Sequence, residues 1–114
     1  MIRLEPARAA REAVAANPAR PATAVIHDSP DARLVVFRLA PGQQVAPHRN
    51  ASSVHLAVLA GRGVLSGESG DAPMDMACAA GDVVVYAPNE LHAMRAESEE
   101  LLLLATITPR PGTR

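Results

Sequence analysis

Aromatic side chains are nearly absent from this chain of 114 residues: Phe37 and Tyr86 are the only two, and there is no tryptophan. Wide side chains cannot fill its interior, so Val, Leu, Ile, Ala and Met must form a thin aliphatic core. A single cysteine, Cys78, excludes a disulfide framework and a thiolate cluster. Excess charge of either sign is also missing. The net charge is −1 with no basic stripe, which argues against nucleic acid as a partner. No apolar run approaches the length that spans a bilayer, and the N-terminus lacks a signal-type hydrophobic segment. The expectation is a cytoplasmic protein with no membrane partner. No Ser-His-Asp or Cys-His arrangement is supported, and no paired carboxylates flank the histidines as sugar hydrolysis would require.

What is present suffices for one domain. Hydrophobic residues make up 48% of the chain, enough for a single core. Residues 6–16 read as a short helix, opened by Pro6 and stopped by Asn17-Pro18. A proline-rich stretch follows, with a strand at 23–27. From Arg33 onward, short apolar runs alternate with Gly, Pro, Asn and Asp: residues 34–39, 54–59, 64–65, 83–86, 91–94 and 101–108. Strands at roughly ten-residue spacing predict an all-β sandwich or barrel. Residues 67–72 read as a polar hairpin loop and 97–100 as an acidic turn. The predicted organisation is an N-terminal helix and arm (1–30), a β-barrel (31–108) and a frayed or extended tail (109–114). The runs 83–86 and 101–105 are apolar on both faces, so both faces need cover. The helix or a second copy would supply it, which predicts a homodimer.

Three of the four histidines fall in two glycine-led strand units. The first runs from Gly42 through His48, Asn50 and His55 to Gly63, and the second from Gly81 to His92. If residues 45–50 are extended, His48 and Asn50 share a face with Gln44 and Ala46. His55 shares a face with Ala57 and Leu59, and His92 with Met94. Imidazole suits zinc, iron, nickel and copper, and three such ligands leave coordination positions open for water or substrate. Arg49 and Arg95 are expected on the surface, and Met94 as core filler facing the site. The face of Tyr86 is left undecided.

These motifs resemble those of a small single-domain cupin of the conserved-barrel type. Gly42, five residues and then His48 match the start of that family's first motif. Asn50 stands where a second histidine is usual, His55 where a glutamate is usual, and Val58-Leu59-Ala60-Gly61 is similar to its Val-Leu-x-Gly turn. In the second motif Gly81-Asp82 opens the strand, Ala87-Pro88-Asn89 replaces the proline–glycine turn, and His92 matches the histidine. Ala96 stands in place of the final asparagine. The resemblance implies a double-stranded β-helix, the small-barrel jelly roll, with a short N-terminal helix. It also implies a divalent metal (zinc, iron, nickel or manganese) held by His48, His55, His92 and Asn50. Loss of the carboxylate leaves the ion its full charge and favours small anionic or enolisable ligands. Dioxygenase- or isomerase-type chemistry is one expectation. A non-catalytic ligand-binding or sensor module is a second, and a metal-free structural dimer a third.

Overall fold

The computed structural model describes residues 1–112. One short helix, α1 (Pro6–Glu12), precedes nine strands: β1 (Ala22–Asp28), β2 (Arg33–Leu39), β3 (Gln44–His48), β4 (Ser53–Ala60), β5 (Arg62–Ser69), β6 (Ala72–Ala79), β7 (Val83–Tyr86), β8 (His92–Ala96) and β9 (Leu101–Thr108). They form two antiparallel sheets. Sheet A has the order β1-β2-β9-β4-β7, and sheet B the order β3-β8-β5-β6. The chain is all-β with one short helix, as expected.

The core lies between the sheets and follows a two-residue period. On β4, Val54, Leu56 and Val58 are buried at 3% exposure or less, whereas His55 between them is exposed. Leu39, Leu65, Leu101 and Leu103 complete the centre of this interior. Full burial of each such side chain stabilises by about 1.5–3 kcal/mol. Strand β9 is covered on both faces. Leu101 and Leu103 point between the sheets, while Leu102 meets Ala10 of α1 and Val36 of β2 on the outer side. A seven-residue helix is marginal alone, so this docking holds it.

Several boundaries differ from expectation for local reasons. The helix stops at Glu12 because Ala13 is extended, and Arg38 of β2 donates to the orphan Arg11 carbonyl at 2.7 Å. The strand expected at 23–27 runs from Ala22 to Asp28 and forms an edge of sheet A, so the sheet begins before residue 31. Strand β6 has no apolar run to announce it. It is an Ala/Met edge strand, exposed from Ala72 to Ala77. It pairs along the whole of β5, so the expected loop at 67–72 shrinks to a turn at Gly70-Asp71. The start of the tail is tied down: Ser52 Oγ donates to the Pro109 carbonyl at 2.7 Å, and Arg110 pairs with Asp28 at 3.0 Å. The last two residues of the tail lie outside the described ones. Among the described residues, no helix is long and apolar enough to cross a membrane.

Candidate functional site

Two of the three motif histidines meet at one end of the interior. His48 at the end of β3 lies directly across from His92 at the start of β8. Their ring centroids are 4.0 Å apart, edge to face. Strict alternation from the inward-facing Val45 would turn His48 outward. A register shift between Val45 and His48 corrects this, at a place where Pro47 cannot donate to the ladder. His48 therefore does not share the face of Gln44, which lies opposite Arg95. Tyr86 joins the pair, its ring 5.0 Å from that of His92. Tyr86 and Val54 are cross-strand partners on the inner face of sheet A.

His55 does not reach this cluster. It sits between buried Val54 and Leu56, so the pleat sends its ring to the outer face of sheet A. The inward position beside it, one residue earlier in the chain, belongs to Val54. Asn50 is half-buried and already engaged. Its Oδ1 accepts the Ser52 N–H at 2.9 Å, and its carbonyl accepts the Asn89 N–H at 2.7 Å. These bonds tie the β3–β4 loop to the β7–β8 turn. Among the described residues, no three His, Cys, Asp or Glu side chains gather around one point where an ion could be held. The four-residue set His48, Asn50, His55 and His92 thus supplies two adjacent imidazoles.

The two rings are set alike. His48 Nδ1 lies 2.9 Å from the Ala46 carbonyl and His92 Nδ1 3.2 Å from the Glu90 carbonyl. A carbonyl only accepts, so each neutral ring carries its proton on Nδ1 and leaves a bare lone pair on Nε2. Burial holds His92, 4% exposed, below the ordinary histidine range, against the opposing effect of its Glu90 hydrogen bond. Tyr86 is pushed up to about 12, first by burial and then by the negative charges that Cys78 and Glu90 can carry. Its hydroxyl donates to the Ser66 carbonyl at 2.9 Å. Gly67 permits this closeness, since a Cβ there would stand 3.0 Å from Tyr86 Cε1 and 3.3 Å from Glu90 Oε2.

Three polar residues border the site without having been expected there. Arg49 is exposed, as expected, and spans the rim, pairing with Glu68 at 2.8 Å and donating to the Asn89 carbonyl at 2.8 Å. Glu90 Oε1 accepts the Ala87 N–H at 3.0 Å. The bulge parity that decides which side of β3 a residue occupies left no sequence signal for Arg49. Tyr86 did have one, as the last residue of an apolar strand before a proline turn. A cleft of about 130 Å³ opens between β6 and β7, lined by Met74, Met76, Tyr86 and Glu90 among others, so Tyr86 stands between this cleft and His92. Met94 is buried core as expected, and Arg95 pairs with Asp75.

Two facing antiparallel sheets with imidazoles at one end define a barrel of the double-stranded β-helix class. A family model described as "Cupin domain" matches residues 35–108, more than half of the chain, and the chain belongs to the cupin family. Solved structures agree. A conserved protein with a double-stranded β-helix domain from Klebsiella pneumoniae superposes with TM-score 0.77 at 21% identity, covering 89% of this chain and 87% of that one. An RmlC-like cupin from Desulfovibrio desulfuricans gives 0.73 at 27% identity, with 86% and 91% covered. KdgF from Halomonas sp. gives 0.73 at 18% identity, with 87% and 88% covered. No curated protein matches by sequence.

Proposed function

We propose that this cupin is a small-molecule-binding module whose ligand is an enolisable or hydroxyl-bearing compound held by the Nε2 atoms of His48 and His92. The observation that carries this reading is the matched placement of the two Nδ1 atoms against backbone carbonyls, 2.9 Å for His48 and 3.2 Å for His92. With both Nδ1–H groups committed to backbone carbonyls, the site offers two lone pairs and no imidazole donor. Lone pairs repel a bare carboxylate and attract an O–H, so a neutral enol, phenol or diol fits where an anion alone does not. Tyr86 lies beside His92 and stays protonated, because its low-dielectric surroundings disfavour the phenolate. Nothing further in the site is positioned as a nucleophile or as a pair of acids.

The same two lone pairs support a second reading, in which His48 and His92 hold a divalent ion whose other positions are filled by water or ligand. Zinc, iron, nickel or manganese would supply Lewis acidity there and would open the site to small anions. Isothermal titration with β-diketones, phenols and dicarboxylates, each with and without metal, separates the two. The first reading expects metal-independent binding of the O–H donors, lost in His48→Ala and His92→Ala. It is abandoned if only anions bind and only with metal, or if binding survives both substitutions. Elemental analysis of untagged protein tests the second, which fails if no metal accompanies the chain and none is taken up on addition.

A further inference from the structure

The outer faces of the two sheets differ in character. On sheet A, β7 leaves Val83 and Val85 60% and 62% exposed, so the run 83–86 lacks the outer cover expected for it. On sheet B a groove of about 260 Å³ crosses all four strands. Val45 and Met94 pack into the core, so the pleat turns their neighbours Gln44, Ala93 and Arg95 outward into this groove. The register sets Gln44 opposite Arg95, and Ser66 between Ala93 on one side and Asp75 on the other.

Asp75 is the hub of the polar groups. Its Oδ1 accepts the Ser66 hydroxyl at 2.6 Å, and its Oδ2 accepts Arg95 Nη1 at 3.4 Å. The second bond is long, since oppositely charged groups normally close to about 2.7–2.9 Å. Arg95 is therefore loosely held. Its Nε and Nη2 have no hydrogen-bond partner among the described residues, and neither has the Gln44 amide across from it. This Nε–Nη2 edge is the one through which Arg33 takes both oxygens of Asp28 elsewhere in the chain. Such a fork matches a carboxylate. Beside it the wall is apolar, formed by Pro47, Leu91 and Ala93.

We infer that this groove is a second binding site, separate from the histidines, for a small singly charged carboxylate with an apolar body. The carboxylate lies on the free edge of Arg95, with the Gln44 amide donating a further bond, and the body rests on the apolar wall. Asp75 limits the charge the groove accepts, because a dianion such as phosphate sets its second charge against that carboxylate. The Asp75 oxygens already serve Ser66 and Arg95, so a ligand ammonium gains little there. The volume lies just below the roughly 300 Å³ at which pockets for drug-sized ligands begin, which suits a monocyclic acid. Leu91 and Ala93 flank His92 in the chain but occupy the opposite face of β8, so the inference is independent of what the histidine site binds.

Isothermal titration with phenylacetate at fixed ionic strength tests it. The wild type is expected to bind one phenylacetate per chain, and to bind acetate, phenylacetamide and inorganic phosphate at least tenfold more weakly. Phenylalanine should bind no tighter than phenylacetate. Arg95→Met keeps the aliphatic stem and should weaken phenylacetate at least tenfold, whereas His48→Ala should leave it unchanged. If Arg95→Met fails to fold, Gln44→Glu sets a carboxylate before the same edge from an exposed position and should weaken binding as much. The inference is overturned if no phenylacetate binds at millimolar concentration, or if the folded Arg95 or Gln44 variant binds it as wild type does. Phosphate or phenylalanine binding tighter than phenylacetate overturns it too. So does loss of binding in His48→Ala, which would place the acid at the histidines.

Discussion

Raising the pH should destabilise this protein through one phenol. Tyr86 is the only tyrosine and there is no tryptophan, so absorbance near 295 nm reports a single ionisation. The residue is 2% exposed, and its pKa is raised from 10.0 to about 12. Burial is the main cause, and the phenolate also loses its bond to the Ser66 carbonyl. A folded value above the unfolded one means that the stabilisation is complete below pH 10 and is lost as the pH rises from there toward 12. At about 1.4 kcal/mol per unit, two units correspond to roughly 2–3 kcal/mol of stability withdrawn over that window. Tyr86→Phe supplies the reference. At neutral pH it should be weaker than wild type by about 1 kcal/mol for the missing hydrogen bond, and its stability should show no such fall. Urea unfolding of both proteins at a series of alkaline pH values gives the difference curve directly. A phenol that titrates near pH 10 while the protein is still folded would refute the reasoning, as would parallel curves for the two proteins.

Four further outcomes follow from the same geometry. His92 sits below the ordinary histidine range because it is buried, so the unfolded chain takes up its proton first; its contribution should be intact above about pH 6.5 and decline below it, a slope that His92→Phe should remove. Gly61→Ala should cost about 3 kcal/mol or more in urea unfolding, since Gly61 has φ of 81° and a Cβ there would lie 1.9 Å from the Glu100 carbonyl oxygen. His55→Ala should leave ligand and metal binding unchanged by calorimetry, because its ring is on the outer face. Conversely, adding Asn50→His and Val54→Glu together should create stoichiometric zinc or nickel uptake, seen as a metal-dependent rise in melting temperature. The pair Asn50→His and His55→Glu should not, and equal uptake by both would show that the inward position has been misassigned.

The barrel itself was legible because strand patterns are local. Apolar runs of four to eight residues between glycine and proline turns mark β2, β4, β7 and β9, and the glycine-to-histidine spacing marks the family. β6 was not legible. An edge strand needs no buried face along most of its length, so Ala72 to Ala77 carry no hydrophobic alternation.

The sequence by itself determined that His48 and His92 each belong to a glycine-led strand unit, since each follows its glycine at a spacing fixed along the chain. It also determined that β9 would be buried on both sides, because five consecutive apolar residues leave no polar face for water. Only the tertiary structure decided which side each histidine takes. In a strand, one residue of register reverses every side chain. A bulge at Pro47 turns His48 toward His92 at the exposed end of the interior, and its absence from β4 before Val58 leaves His55 on the outer face. Parity of this kind is set by pairing between distant strands, and no single stretch of sequence contains it.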